Sequence, residues 1–249
     1  MGVATAHQTI ICMKWGTRYG PEYVNRLAAM VARNVTRPTR LLCFTDNRNG
    51  ISPDIETAPL PAIAIPQRIF WYTWRKLSVW QDPLADLKGD VLFLDLDLVI
   101  AGPLDPFFDY EAGRYLAIEN WTQRGQHIGN TSVFRFPVGR YTHIFRDFER
   151  DPEAVLRRWR TEQHYISDTI GDMAFWPKAW CVSFKHSLLP RWPLNFVWPA
   201  PLPKDTKIVA FTGKPKPDEA LEGRWPVRKW HEKIYKHTRP TPWIGEHWR

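Results

Sequence analysis

The sequence lacks long apolar runs, which argues against a membrane-spanning protein. No segment reaches the roughly 20 uninterrupted apolar residues that a membrane-spanning helix needs. Residues 1–16 also lack the charged and then apolar layout of a signal peptide. We therefore expect a cytoplasmic globular protein, with peripheral attachment to the inner face of the membrane as the alternative.

Cysteine is scarce, which disfavours a disulfide framework. Cys12, Cys43 and Cys181 are far apart in the chain and form no Cys-x-x-Cys pair. Two of them lie in the apolar runs IICM and LLCF, where a free thiol behaves as a small hydrophobic side chain. We predict that all three are buried, reduced and structural.

Acidic charge is in deficit, but the excess of basic residues is spread along the chain. The formal net charge is +8, and the pI of about 9.5 predicts anionic partners such as phosphorylated small molecules, an anionic membrane or nucleic acid. No zinc-finger, KH or RNP pattern occurs. The sequence therefore predicts no nucleic-acid partner.

The hydrophobic pattern predicts an α/β fold. Residues 9–13 and 40–45 form apolar strand-like runs, and between them residues 21–33 carry apolar side chains at helical spacing. Strand, helix and strand in this order indicate a βαβ unit and a parallel sheet. Gly89 precedes a third, central strand at residues 91–94. We further predict helices at residues 71–80, 140–150 and 153–160 and strands at residues 115–118, 132–136 and 207–212, with Trp74, Leu77 and Trp80 facing inward.

The chain shows no internal repeat and no low-complexity tract, and we expect a single domain. We divide it into a first half at about residues 1–110, a second half at about 111–228, and a basic aromatic tail at 229–249. Beyond Pro177 the sequence is rich in proline and tryptophan, which predicts an irregular C-terminal part.

Two aspartates interrupt the apolar run GDVLFLDLDLVI at residues 89–100. Side chains two apart on a strand project to one face, so Asp95 and Asp97 are predicted to converge where the strand ends. The carboxyl edge of a parallel sheet is where ligands bind, and paired carboxylates are neutralised by a divalent ion such as Mg²⁺ or Mn²⁺. The alternative is that both aspartates cap the turn ahead of residues 101–103.

Polar and basic motifs occur at other predicted element ends. In chain order they are Lys14-Trp15-Gly16-Thr17, Arg75-Lys76, Gly129-Asn130-Thr131-Ser132-Val133-Phe134, Glu162-Gln163-His164-Tyr165-Ile166 and Phe211-Thr212-Gly213-Lys214-Pro215-Lys216-Pro217. An ordinary interpretation stays open for the lysines: Lys76 as an exposed helix residue, and Lys214 and Lys216 as a solvated loop.

Two enzyme classes place an Asp-x-Asp at the end of such a strand. FLDLDLV fits the pattern of haloacid-dehalogenase-type phosphatases, in which Asp95 would be the nucleophile, but there the motif follows the first strand, whereas two predicted strands precede it here. The order of motifs from about residue 9 to residue 217 resembles the GT-A-fold glycosyltransferases, and most closely glycosyltransferase family 8.

The resemblance implies a Rossmann-type mixed sheet flanked by helices and a metal-dependent transfer of a hexose, with retention, from a nucleotide-diphosphate sugar to a saccharide or lipid-linked acceptor. It favours a UDP-sugar as donor and Mn²⁺ or Mg²⁺ as cofactor. The implied metal ligands are Asp95 and Asp97, and the implied catalytic residues are Glu162, Gln163 and Asn130. The implied donor-binding residues are Lys14, Trp15, Gly16, Thr17, Lys76, Asp95, Gly213, Lys214 and Lys216.

The chain departs from the family pattern at four positions. Ser132 stands for a glycine, Glu162 for an aspartate, Ala210 for the metal-binding histidine and Asp218 for a tryptophan. Thr212, His231 or water would then complete the metal shell. If the enzyme inverts, Glu162, Asp168 or Asp172 would be the general base.

Three functional classes therefore stay open: a sugar transferase, a phosphatase, and a non-catalytic nucleotide or carbohydrate binder. The basic aromatic tail has two interpretations of its own, a peripheral contact with an anionic membrane or a segment that wraps the domain.

Overall fold

The computed structural model describes residues 8–69 and 72–249, and these divide into two compact units. The first unit comprises the chain through Asn25, Thr36–Leu96 and Asp105–Trp176; the second comprises Arg26–Val35, Asp97–Leu104 and Pro177–Arg249. The single domain predicted above, with boundaries near residues 110 and 228, stays a prediction.

The first unit contains a seven-stranded mixed sheet with the order β3-β2-β1-β4-β7-β6-β8. Its strands are β1 (Gln8–Lys14), β2 (Thr39–Thr45), β3 (Glu56–Pro59), β4 (Asp90–Leu94), β6 (Leu116–Glu119), β7 (Gly129–Pro137) and β8 (Ala174–Phe175). Strands β1 to β4 run parallel, and β7 is antiparallel to its neighbours β4 and β6. The predicted third, central strand is confirmed, since β4 lies in the middle of the sheet.

The predicted βαβ unit is confirmed. Strands β1 and β2 pair in parallel with Cys12 beside Cys43, and helix α1 (Pro21–Asn34) connects them. All three cysteines are buried and free, as predicted. For Cys12 and Cys43, burial follows from the parallel arrangement, because helices cover a parallel sheet and leave its strands apolar on both faces.

The helix predicted at residues 71–80 is present as a 3₁₀-helix, Thr73–Trp80, and Trp71 lies outside the described residues. Trp74, Leu77 and Trp80 are 4%, 0% and 2% exposed, which confirms the inward-facing set. Trp80 stacks on Phe134 of β7 with ring centroids 5.7 Å apart. Every residue from Trp74 to Trp80 is buried, so the protein encloses this helix on all sides after its first residue.

Three short helices complete the described part of the first unit after β7. They are α3 (Thr142–Arg150), α4 (Pro152–Arg158) and α5 (Glu162–Thr169), and α2 (Pro106–Asp109) precedes β6. The two helices predicted at residues 140–160 are thus confirmed, with the break at Asp151, whose carboxylate caps α4 by accepting the amide of Ala154.

The second unit contains a three-stranded sheet with the order β5-β10-β9. Its strands are β5 (Leu98–Ile100), β9 (Cys181–Ser183) and β10 (Ile208–Ala210), and its short helices include α6 (Pro217–Leu221) and α7 (Trp243–His247). The strand predicted at residues 207–212 is therefore shorter than expected. None of the described helices is long and apolar enough to cross a membrane.

Candidate functional site

One edge of the first unit's sheet collects the polar strand ends. The carboxyl ends of the mutually parallel strands β1, β2, β4 and β6 and the amino end of the antiparallel β7 all lie there. In open α/β sheets this is the edge at which ligands bind. The residues that it brings together include Lys14, Asp46, Asp95, Asn120 and Asn130.

Asp95 is held by a buried lysine. Lys76 Nζ lies 2.6 Å from Asp95 Oδ1, and their side chains are 4% and 21% exposed. The same ammonium donates to the carbonyl oxygen of Thr131 at 2.9 Å and lies 5.2 Å from the ring centroid of Phe93. The interpretation of Lys76 as an exposed helix residue is therefore wrong, because the 3₁₀-helix carries its charge into the sheet edge.

The two aspartates do not share a strand, contrary to the geometry predicted from their spacing. Strand β4 ends at Leu94, the amide of Asp95 still donates to the carbonyl of Ser132 at 2.9 Å, and Leu96 and Asp97 form a bend. The chain then enters β5, which belongs to the second sheet. Asp95 therefore belongs to the first unit and Asp97 to the second, and their action as a pair stays a prediction.

Asp97 is the first residue of the segment 97–104, which belongs to the second unit. It is 8% exposed, and its carbonyl accepts the amide of Phe211 at 3.2 Å. Ala210, which stands for the family's histidine, is a strand residue with 1% exposure. The hydroxyl of Thr212 is buried and has no hydrogen-bond partner among the described residues, whereas His231 is exposed on a 3₁₀-helix, Trp230–Ile234.

The side chains of Asp95, Asp97 and Thr212 fit a hard divalent cation only in the type of donor atom that they offer, which is oxygen. No group of three or more His, Cys, Asp or Glu side chains within residues 8–69 and 72–249 forms a closed metal site. Two carboxylates and the orphaned hydroxyl of Thr212 are oxygen donors, the type that Mg²⁺ and Mn²⁺ prefer. Asp95 belongs to the first unit and Asp97 and Thr212 to the second, so their action as one ligand set stays a prediction.

Glu162 is a buried carboxylate that two hydroxyl groups hold in place. It is 1% exposed at the start of α5; Thr131 Oγ1 donates to its Oε1 at 3.0 Å, and Thr73 Oγ1 donates to its Oε2. Thr131 therefore contacts Glu162 through its hydroxyl and Lys76 through its carbonyl. Glu162 thus joins α5, β7 and the 3₁₀-helix that carries Lys76.

A chain of amides and an imidazole borders the same edge. Asn120 Nδ2 lies 3.3 Å from both Gln123 Oε1 and Gln163 Oε1. Gln123 Nε2 lies 3.0 Å from His164 Nε2, and the other ring nitrogen of His164 lies 2.7 Å from Thr161 Oγ1. The loop that begins at Asn120 is therefore anchored to the first turn of α5.

Asn130 lies at the start of β7 and is 5% exposed. Its side-chain oxygen accepts the amide of Ser132 at 3.0 Å, which fixes the amide plane near the sheet edge. Gln163 and Asn130 are thus both ordered by hydrogen bonds at this edge, and their contact with a ligand stays a prediction.

The loop after β1 is tied to the end of β2. The amide of Gly16 donates to Asp46 Oδ2 at 2.8 Å. Gly16 has φ +61°, a backbone conformation that residues other than glycine rarely adopt. Lys14 is 5% exposed and Trp15 packs against the core of the first unit.

Burial lowers the pKa of Arg75, and the nearby Asp46 carboxylate opposes that shift.

The glycine-lysine motif lies in the second unit. Lys214 pairs with the carboxylate of Glu219, which also accepts the amide of Lys216 at 2.7 Å. Lys185 donates to the carbonyl of Thr212 at 2.9 Å, and burial, assisted by the neighbouring Lys236, lowers its pKa. The loop is therefore structured, and Lys214 is a paired lysine.

Asp168 and Asp172, the alternatives to Glu162 as general base, have structural partners. Asp172 accepts the hydroxyl of Tyr141 at 2.9 Å and pairs with Arg140 at 3.1 Å, just before β8 and hence at the opposite edge of the sheet. Asp168 accepts the indole N–H of Trp159 at 3.0 Å. Both acids therefore have structural partners within the first unit.

Comparison with solved structures reveals the same fold in glycosyltransferases. The galactosyltransferase LgtC, solved in complex with donor and acceptor sugar analogues, matches with a TM-score of 0.55 and 14% identity over 84% of this chain and 89% of LgtC. The chain shares the fold of this enzyme. The GT-A-like fold predicted from the sequence is thereby confirmed.

Two larger proteins with this fold also match. The bifunctional glycosyltransferase WbbM, in its apo structure, matches with a TM-score of 0.58 and 13% identity over 99% of this chain and 52% of WbbM. The glycosyltransferase GlyE of Streptococcus pneumoniae matches with a TM-score of 0.57 and 12% identity over 91% of this chain and 60% of GlyE. No protein-family model and no curated protein matches the sequence.

The sequence analysis assigned no site role to several residues at the sheet edge, although two of them, Thr131 and His164, lie within its motifs. They are Asp46, Thr73, Asn120, Gln123, Thr131 and His164. A signal existed for three of them, because Asp46 and Asn120 each follow a strand and Thr73 lies one 3₁₀ turn before Lys76. Their partners, however, are distant in the chain, and no local pattern identifies such pairs.

Proposed function

We propose that the protein is a glycosyltransferase that transfers a hexose from a nucleotide-diphosphate sugar to a hydroxyl acceptor. The observation that carries the proposal is the Lys76–Asp95 pair at the carboxyl end of the central strand β4, in a chain whose fold glycosyltransferases share. A buried cation and carboxylate at that edge suit a ligand that carries both phosphate and hydroxyl groups.

Donor binding in this proposal uses both motifs at the ends of β1 and β4. Lys14, Trp15, Gly16 and Thr17 contact the nucleotide, with UDP favoured, and Lys76 holds Asp95 toward the donor. Asp95 and Asp97, with Thr212 or water as a further ligand, hold Mn²⁺ or Mg²⁺. When bound, that ion supplies Lewis-acid stabilisation of the leaving diphosphate.

The reaction breaks the bond between the anomeric carbon and the diphosphate oxygen, whose electron pair leaves with the diphosphate. It forms a bond from that carbon to the acceptor oxygen, whose proton passes to the departing diphosphate. Negative charge develops on the departing diphosphate, so positive groups aimed at it accelerate the reaction. Gly213 allows close approach of the backbone, and Lys214 and Lys216 supply positive charge. We assign retention of configuration on the family resemblance.

Three ordered polar residues fit the sugar side of the site. Gln163 and Asn130 present amides that orient hydroxyls of the sugar and of a saccharide or lipid-linked acceptor. Glu162 is 1% exposed and is held by two threonines. This supports a role as a positioning residue that fixes Thr131, whose carbonyl accepts a hydrogen bond from Lys76.

A calorimetric panel of nucleoside diphosphates and nucleotide sugars, with and without Mn²⁺, tests the proposal. We expect one nucleotide sugar to bind only with metal, and Asp97→Asn to abolish that binding. Asp54→Asn, which changes an exposed loop aspartate, is the matched control. No binding of any nucleotide by the wild type would refute the proposal.

Product analysis separates the remaining classes. A transferase releases nucleoside diphosphate when an acceptor saccharide is added, whereas a carbohydrate binder retains the intact nucleotide sugar. A phosphatase would hydrolyse a generic phosphate ester, and Asp95→Asn would stop it. The pairing of Asp95 Oδ1 with Lys76 at 2.6 Å weighs against that role, because the ion pair lowers the nucleophilicity of the carboxylate.

A further inference from the structure

The second unit carries a concentrated set of exposed apolar side chains. Eight of the nine strongly exposed large apolar residues in the described chain lie in two of its short segments, residues 191–198 and 228–237, which we call the aromatic surface. They are Trp192, Leu194, Phe196, Val197, Trp198, Trp230, Ile234 and Tyr235. Scattered single apolar residues are normal on a protein, whereas a contiguous set marks an interaction site.

The two segments of the aromatic surface are joined to each other by specific contacts. The buried amide of Asn195 donates to the carbonyls of Tyr235 and His237 at 3.0 and 2.9 Å. Trp192 Nε1 donates to the carbonyl of Ile234 at 2.9 Å. The Phe196 ring stacks on His237 with centroids 4.4 Å apart and planes 3° apart. These contacts therefore hold in place the two segments that carry the exposed side chains.

The exposure does not extend through the whole basic aromatic tail. In α7, Ile244 is 0% exposed, and Trp248, just after the helix, is 5% exposed and lies under the guanidinium of Arg26. Trp243 Nε1 donates to the carbonyl of Ala200 at 2.8 Å. The end of the tail thus packs on its own unit, as one interpretation of the sequence predicted, and the aromatic surface is a local feature.

Positive charge surrounds the exposed aromatic side chains. The two segments contain five lysines and arginines, namely Arg191, Arg228, Lys229, Lys233 and Lys236, and one acid, Glu232. The carboxylate of Glu232 is engaged by Lys236 and by the amides of Arg228 and Lys229. The surface is therefore cationic and aromatic together.

We propose that the aromatic surface docks on the interface of a bilayer that contains anionic phospholipids. Trp and Tyr side chains favour the headgroup region, where an apolar ring and a polar group are both accommodated. Lysines and arginines beside them gain electrostatic attraction from anionic lipids. This docking is independent of glycosyl transfer, since none of its residues belongs to the donor or sugar site proposed above.

Flotation with lipid vesicles tests this docking. We expect the wild type to float with vesicles of equimolar phosphatidylcholine and phosphatidylglycerol, far less with phosphatidylcholine alone, and less at high salt. Lys229→Gln with Lys233→Gln should weaken the partition coefficient about 25-fold, at about fivefold per lysine. Trp198→Ser with Trp230→Ser should weaken it about tenfold.

Matched controls change the same chemistry elsewhere. Arg48→Gln with Lys88→Gln removes two exposed charges from the first unit, and Tyr72→Ser removes the ninth exposed apolar residue; both should float like the wild type. Circular dichroism and calorimetric binding of the nucleotide sugar establish that each variant is folded. Quenching of tryptophan fluorescence by brominated acyl chains should be weaker in the double tryptophan variant, which keeps only Trp192 among the exposed tryptophans of this surface.

Three results would overturn the docking proposal. The first is failure of the wild type to float with anionic vesicles. The second is flotation that the aromatic-surface variants leave unchanged. The third is self-association of the wild type that the same variants abolish while vesicle binding is absent, because the surface would then be covered by a second copy of the chain.

Discussion

Lys76 Nζ and Asp95 Oδ1 lie 2.6 Å apart at the carboxyl end of the central strand, with the lysine side chain 4% exposed. The lysine is also bound by the Thr131 carbonyl, so its charge is oriented by two oxygens. The lysine fixes the position of Asp95 through Oδ1 and leaves Oδ2 for contact with a ligand. The pair thus links the stability of the sheet edge to the proposed donor site.

Removing the lysine should destabilise the protein. We expect Lys76→Met to lower the free energy of unfolding by about 3 kcal/mol, because it leaves a partly buried carboxylate unpaired. Denaturant unfolding monitored by circular dichroism measures this loss. Lys88→Met, at an exposed lysine, should change it by less than about 0.5 kcal/mol.

A double-mutant cycle tests the pairing itself. Lys76→Met combined with Asp95→Asn should cost at least about 1 kcal/mol less than the sum of the two single changes, because the second change removes the unpaired charge. Strict additivity of the two free energies would show that the residues do not interact in solution.

Glu162 should contribute to stability as well as to activity. Glu162→Gln replaces a carboxylate that accepts two hydroxyl hydrogen bonds, and bonds to charged groups are worth about 2 kcal/mol. We expect a loss of that size in unfolding experiments, with Thr131→Val causing a similar loss. Glu246→Gln, at an exposed acid of α7, is the control. An unchanged stability of Glu162→Gln would contradict the positioning role.

The contact around Glu232 should respond to acid. Its pKa is lowered from 4.5 to about 2, first by the Lys236 ammonium and then by the backbone amides of Arg228 and Lys229. Because the folded pKa lies below the unfolded one, this stabilisation is complete above pH 4.5 and disappears as the pH falls toward 2.

Hydrogen exchange in residues 228–236, recorded at several pH values, tests that response. In the wild type, protection of these amides should decline as the pH falls from 4.5 toward 2. In Glu232→Gln, protection should already be lower than in the wild type at pH 4.5 and should change less with pH. Identical profiles for the two proteins would mean that the carboxylate does not hold this segment.

The amide chain at the sheet edge should control one loop. Gln123→Ala breaks the contacts with Asn120 and His164, so we expect faster hydrogen exchange in residues 120–128 and a loss of about 1 kcal/mol. Gln126→Ala changes an exposed amide of the same loop and should leave exchange unaltered. Equal exchange rates in the two variants would exclude an anchoring role for Gln123.

The sequence alone determined the parallel βαβ start, the buried central strand and the buried cysteines. These follow from periodic apolar patterns and from the burial that a parallel sheet imposes on both faces of its strands. The aspartates also stood out, since charges at the end of an apolar strand are conspicuous, and the order of motifs led to a fold that the solved glycosyltransferases share.

Tertiary structure alone decided the partners at the site and the surface of the second unit. Thr73 and Glu162 meet across 89 residues, and Lys76 reaches Asp95 only because a 3₁₀-helix is buried against the sheet. The bend at Leu96 and Asp97 overturned the shared-strand geometry because the chain changes sheets there. Likewise, Trp248 is buried and Trp230 exposed in one tail, because long-range packing, and not composition, selects which aromatic side chains meet water.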